Sequence, residues 1–200
     1  MEGAFQMSTP TASRDPRSRA DAVRNRQRVL EATKALLSEL GATITIEAIS
    51  RKAGVGAATV VRSFGNKEAL IDAATADLLR PIVQRARDAL SQPNPETAVR
   101  SFLLELMAFQ SEHWIMGEQL RGMDLPATAA QRAALQQAGL DLVARARDDG
   151  TIRTDVDPAI ATVLIGEATY AIARSESASP ELFESYVSVL MDGLRPQPPR

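Results

Sequence analysis

The side chains able to carry covalent chemistry are few, and their spacing does not favour it. His113 is the single histidine and there are no cysteines. Disulfides, thiolate sites and His-based metal clusters therefore fall away, and a Ser-His-Asp arrangement has only one imidazole to draw on. His113 recurs with Phe102, Leu106 and Phe109 at helical spacing. That makes it either a core or rim histidine or a polar contact in a cavity. The acidic pairs Asp148–Asp149 and Asp155/Asp157 have the right type for acid–base work. They fall, however, at a helix end and in a loop before Pro158, where solvation and N-capping account for them. There is no phosphate loop and no G-x-S-x-G elbow. The sequence predicts no catalytic residue, no metal and no cofactor. A small α-helical enzyme remains a rival reading, and it would need a convergent polar cluster that the sequence does not display.

The other chemistry in reach is phosphate binding. Residues 1–67 carry 11 Lys/Arg against 6 Asp/Glu, whereas residues 68–200 carry 12 against 19. A basic head on an acidic body is expected if only the head meets a polyanion. No apolar run approaches the roughly 18 residues of a membrane span. The Ser-, Thr-, Pro- and Arg-rich start has no apolar segment of the secretory type, so the cytoplasm is expected and no membrane.

The elements that position these residues read as helices throughout. Apolar content is 44% and aromatic content 4%, a mix that favours helix bundles. Residues 1–16 read as a disordered arm and 196–200 as a disordered tail. A first helix is expected from Arg17 to Leu40, with Val29, Leu30, Ala32, Leu36, Leu37 and Leu40 on its apolar stripe and Gly41 as its stop. Thr45 is a natural N-cap for a short second helix closed by Gly54. A third runs from Ala57 to Phe64, and Asn66 caps a fourth that Pro81 is expected to kink or interrupt. Then come Glu96 to His113, a separate short segment over Trp114–Arg121, Ala127 to Asp149, Pro158 to Arg174 and Glu181 to Leu194.

Two short helices joined by Gly-Val-Gly over residues 45–64 follow the helix-turn-helix plan, in which the second helix enters the major groove. Here the chain resembles the tetracycline-repressor (TetR) family. The resemblance rests on RQRVLEATKALLSELGA and TIEAISRKAGVGAATVVRSFGNKEALI. It matches the family run at Thr45, Ile49, Ala53, Gly54, Val55, Thr59, Val60, Phe64, Asn66, Lys67, Glu68 and Leu70, and covers about residues 20–75. It implies that Ala57–Phe64 is the recognition helix, with Ala57, Ala58, Thr59, Val61 and Arg62 facing or flanking the groove. Thr45 and Lys67 would meet phosphate, and Arg19 or Arg24 would add contacts. Val61 and Ser63 replace the family's aromatic or His residues, and Gly56 and Ala57 replace its polar turn residues. The reader is thus apolar, and readout would lean on Thr59, thymine methyl groups and DNA shape.

The resemblance implies an all-α fold: a three-helix DNA-binding domain (residues 17–66) followed by a helical body for effector binding and dimerisation (67–195). In such a body the middle helices enclose a pocket for a small, largely apolar effector. The candidate lining is Phe102, Leu106, Phe109, Gln110, His113, Trp114, Met123, Glu167 and Tyr170, with core packing or surface exposure as the plainer alternative. Ile160, Leu164, Ala168 and Ala171, then Leu182, Tyr186, Val189 and Gly193, stripe the last two helices. They suit a four-helix dimer interface, with intramolecular core as the alternative. The implied function is an effector-responsive homodimeric repressor on double-stranded operator DNA. A DNA-binding regulator without an effector is the nearer rival.

Overall fold

Amphipathic stripes and helix caps set eight helices along the described residues. The structure is a computed structural model that describes residues 16–196, with side chains from Arg19 onward. The expected arm and tail lie outside the described residues, apart from Pro16 and Pro196. Among those residues all regular structure is helical: α1 (Pro16–Leu37), α2 (Ile46–Ala53), α3 (Ala57–Phe64), α4 (Lys67–Ala89), α5 (Pro95–Gln119), α6 (Pro126–Asp148), α7 (Pro158–Ala173) and α8 (Pro180–Leu194). The all-α expectation is borne out. No helix among the described residues is long and apolar enough to cross a membrane.

Local chemistry fixes most boundaries. Thr45 caps α2 by accepting from the Ala48 amide at 3.1 Å, and Asn66 caps α4 by accepting from Ala69 at 2.7 Å. Asn94, Asp157 and Ser179 cap α5, α7 and α8 in the same way, each followed by a proline in the first turn.

Three expectations need correction. α1 ends at Leu37 rather than Leu40, and Leu40 is 82% exposed. The turn is held instead by the Gln119 side chain, which donates to the Glu39 carbonyl at 2.9 Å. α4 runs unbroken through Pro81. Proline costs a helix interior about 3 kcal/mol, but Pro81 itself is exposed while Leu79, Ile82, Val83 and Ala86 are buried around it, and that burial outweighs the loss. Trp114–Arg121 is no separate segment. α5 continues to Gln119 because Met116 is buried on its inner face, as is Leu120 just beyond.

The helices enclose three apolar clusters. Val29, Leu30, Leu36, Ile49, Ala53, Val60, Leu70 and Ala74 join α1–α3 to the start of α4. Leu79, Ile82, Phe102, Leu103, Met107, Leu142, Ile165, Phe183 and Val187 are among those that form the body core. Between them Leu37, Ile71, Met116, Leu120 and Leu125 seal head to body. Helix α4 contributes to all three clusters, since Leu78 packs on the junction. It also supplies the cap that α6 lacks locally. Asp72, 8% exposed, accepts from the Ala127 and Thr128 amides at 2.9 and 2.7 Å. Its carbonyl takes the Thr128 hydroxyl. Near it Lys34 bridges α1 to Asp77 of α4 at 2.8 Å.

Burial pushes the Asp72 carboxyl up, but hydrogen bonds from Ala127 and Thr128 outweigh it and hold the group below the ordinary carboxylate range. A depressed folded-state value stabilises the protein above the unfolded value, near 3.9, and that stabilisation is lost as pH falls through the folded one. Asp72→Ala should therefore lower stability at neutral pH by about 1.5–3 kcal/mol. Asp72→Asn, which keeps one acceptor, should lose less. In thermal melts the gap between wild type and Asp72→Asn should narrow from pH 7 to pH 3. A gap that stays constant would contradict the assignment.

Candidate DNA-reading head and body cavity

The turn between α2 and α3 depends on one glycine. Gly54 caps α2 in the left-handed region at φ 62°, and its amide donates to the Arg51 and Ser50 carbonyls. A Cβ there would lie 2.6 Å from Arg28 Nη2. Arg28 lies against this turn, with Nη2 3.4 Å from the Gly54 carbonyl. Helix α3 is pinned from within by Val60, fully buried, and at its C-terminal end by Arg26. The Arg26 guanidinium stacks over Phe64 at 4.2 Å and donates to the Ser63 carbonyl at 3.0 Å. Sequence reading missed Arg26 and Arg28 as positioning groups. Each acts on a partner more than twenty-five residues away, so no local pattern reveals it.

The predicted DNA contacts fall as follows. Ala57, Ala58, Val61 and Arg62 are exposed on α3, Val61 by 46%. Thr59 is half-buried, and its hydroxyl accepts from Arg62 Nη2 at 3.1 Å. Thr45 and Lys67 stand at the N-terminal ends of α2 and α4, both half-buried. The Thr45 oxygen accepts the cap bond, which leaves its O–H free to donate. Lys67 lies 3.7 Å from Glu68, a loose exposed pair of little strength. Arg19 is exposed, and Arg24 pairs with Asp21.

In the body, α4, α5, α6 and α7 surround a cavity of about 680 Å³, within the range of small-molecule sites. All nine residues named from the sequence line it: Phe102, Leu106, Phe109, Gln110, His113, Trp114, Met123, Glu167 and Tyr170. Sequence reading missed Thr75 and Leu78 of α4 and Arg132 and Leu142 of α6, because spacing along the chain gives no sign of which helix face meets a cavity. Met116, Leu120, Met123 and Leu78 belong to both the cavity wall and the head–body seal. Phe109 and His113 meet edge to face at 4.6 Å, and burial pushes the His113 imidazole below its ordinary value. At one side Glu118 gathers the Tyr170 hydroxyl at 3.2 Å, Arg121 at 2.6 Å and Arg174 at 3.6 Å, tying α5 to α7. Among the described residues no group of three or more His, Asp or Glu is placed to hold a metal.

The residues named for a dimer contact divide between outward faces and the margin of the body core, against which Tyr186 packs. Ile160 and Leu164 are 58% and 62% exposed, Ala171 is exposed, and Val163 continues the same strip at 51%. Ala168 is half-buried. On α8 Val189 is 72% exposed, Gly193 is exposed, and Leu182 and Tyr186 are half-buried. The inward stripes are instead Ala161, Ile165, Thr169 and Ala173 on α7, and Phe183, Val187 and Met191 on α8.

Residues 29–74 match the family model of bacterial regulatory proteins, tetR family, and residues 94–196 match that of the transcriptional regulator SbtR-like C-terminal domain. Among solved structures, a TetR transcription regulatory protein from Mycobacterium vanbaalenii is 34% identical, with a TM-score of 0.63 over 88% of this chain and 98% of that one. A TetR transcriptional regulator from Streptomyces coelicolor is 28% identical, with a TM-score of 0.63 over 86% of this chain and 99% of that one. PfmR from Thermus thermophilus is 22% identical, with a TM-score of 0.70 over 85% and 97%, and shares the fold. A comparison with curated protein sequences finds no match.

Gly54→Ala should cost about 1–2 kcal/mol from left-handed backbone strain; the atom nearest the new Cβ is the far end of the flexible Arg28 side chain, which can swing aside at little cost. Gly41→Ala, at φ 75° with nothing within 4 Å of a new Cβ, should cost a similar amount. Paired thermal melts check this. A markedly larger loss at Gly54 would show that Arg28 is held in place.

Proposed function

The chain belongs to the tetR family of bacterial transcriptional regulators, and on that footing we propose that it is an effector-responsive homodimeric repressor of operator DNA, working in the cytoplasm. The observation that carries the effector part is the shared wall. Met116, Leu120, Met123 and Leu78 line the cavity on one side and pack towards Leu37 and Ile71 on the other. A ligand that fills the cavity must press on the helices that seat the head. Packed interfaces respond by shifting between discrete arrangements rather than by yielding smoothly. The affinity for DNA falls because the ligand favours the arrangement that spaces the readers wrongly.

The head, set at residues 17–66 from the sequence, functions with the first two turns of α4, because Leu70 and Ala74 share its core. Its contacts with double-stranded DNA divide by chemistry. Thr45 and Lys67 meet phosphates at helix N-termini, where backbone N–H groups point outward. Thr59, Ala57, Ala58, Val61 and Arg62 face the groove, with the alkyl groups suited to thymine methyls. Two copies joined through α7 and α8 hold their readers one DNA turn apart, roughly 34–36 Å. Exposed Ile160, Leu164 and Val189 supply the apolar centre of that contact, with Ala168, Ala171, Leu182, Tyr186 and Gly193 around it. The cavity's size weighs against a regulator without an effector. The largely apolar wall weighs against an enzyme.

Binding to the DNA flanking the protein's own gene should weaken steeply with salt, read by fluorescence anisotropy. Lys67→Ala should weaken it uniformly and reduce the slope of log K against log salt by about 1. Thr59→Ala should leave the slope and erode the preference for operator over random DNA. If both variants bind as wild type does, the contact assignment is wrong.

Leu164→Glu places a charge on an exposed strip. It should leave the helical content and the monomer fold intact while producing monomers in sedimentation equilibrium and loss of operator binding. A stable dimer in this variant would remove α7 from the interface.

A further inference from the structure

Buried polar groups in this protein are almost all served. Thr33 and Thr75 donate to carbonyls one turn back, Ser50 donates to Glu47, Thr169 to Gly166, and Asp72 and Thr128 satisfy one another. Two covered side-chain atoms among the described residues are not: Gln110 Oε1 and His113 Nδ1. Both belong to cavity-lining residues. They lie three apart on α5, and so on one helix face.

This coincidence has no structural use. A buried acceptor with no donor keeps its desolvation cost and returns nothing. Glu112 Oε2 lies 3.9 Å from His113 Nε2, and its charge favours the tautomer with the proton on Nε2, leaving Nδ1 a lone-pair acceptor. Burial, aided by the Lys34 charge and opposed by the charge and backbone of Glu112, pushes the imidazole below its ordinary value. A turn about χ3 of Gln110 re-aims its acceptor and breaks no existing bond of that atom, and the His113 ring need only tilt, with Nε2 kept beside Glu112, to present Nδ1. The rest of the wall is largely apolar, from Leu79, Phe102 and Leu106 to Leu142, Val143 and Ile165.

Building on the reading of this cavity as the effector site, we propose that the effector is a neutral, largely apolar molecule whose polar end carries two hydrogen-bond donor hydrogens, received by Gln110 Oε1 and His113 Nδ1. At these two atoms a carboxylate would present lone pairs to lone pairs; the cationic side chains Arg121 and Arg132 are separate members of the lining. The pair of acceptors sets the class of ligand, and the apolar wall sets its body.

Trp114 is the single tryptophan and lines the cavity, so its emission reports binding directly. The test uses the full chain with four probes of matched body: decanamide, N-methyldecanamide, N,N-dimethyldecanamide and decanoate. Affinity should fall roughly five- to tenfold for each donor removed, and decanoate should bind weakest. Gln110→Leu and His113→Leu should each erase one step of that ranking. Without any probe both variants should melt no lower than wild type, since each removes an unsatisfied acceptor. Equal binding of decanamide and its dimethyl form would overturn the donor assignment while leaving the effector site in place. A lower melting temperature in the variants would show that the acceptors are already satisfied within the protein, and would overturn it too. If no probe changes Trp114 emission or operator binding, the effector-site reading falls and takes this inference with it.

Discussion

Much of the arrangement depends on one carboxylate. Asp72 leaves α4 and meets the first amides of α6, whose preceding residue, Leu125, offers no capping side chain. A helix end buried without such a partner leaves N–H groups unmet. The cap therefore fixes where α6 begins, and α6 forms one wall of the cavity. It also ties that wall to the helix that carries the reading head. Two hydrogen bonds thus join α4 to the start of α6.

Helix α4 is the common member of head, junction and body. That role explains why it tolerates Pro81. A break there would part Leu79 from Ile82 and Val83, and the body core would lose its contact with the junction. The junction is apolar and rich in Met and Leu, side chains that repack without losing directional bonds. The polar ties sit at its margin, in Lys34–Asp77 and in Gln119 to the Glu39 carbonyl. A cavity bordered by such a seam is suited to transmit a change in occupancy.

The head solves a different problem. Its recognition helix is short and apolar, so it cannot be held by polar contacts of its own. Val60 anchors it to the core, Arg26 holds its C-terminal end from α1, and Arg28 lies against the Gly54 turn that precedes it. Positive charge in the head is thereby divided between positioning the reader and meeting phosphate.

The helical class, most helix ends and the helix-turn-helix were legible in the order of residues. These are local matters: Thr45, Asn66 and Asp157 cap their own amides, and Gly54 takes a backbone conformation that other residues avoid. The cavity itself was implied by the family resemblance; the nine residues named for it line it, Met123 from a loop that no helical spacing places. Which helices continue was not legible. Pro81 read as a kink or interruption and Trp114–Arg121 as a separate segment, yet burial on the inner face outweighed local preference, and Leu40, read on the apolar stripe, lies exposed beyond the end of α1. The Asp72 cap, the Arg26 stack and the two unpartnered acceptors emerge from the packed chain alone. Each joins groups far apart in the chain, or depends on which neighbours are absent, and spacing along the sequence carries no record of either.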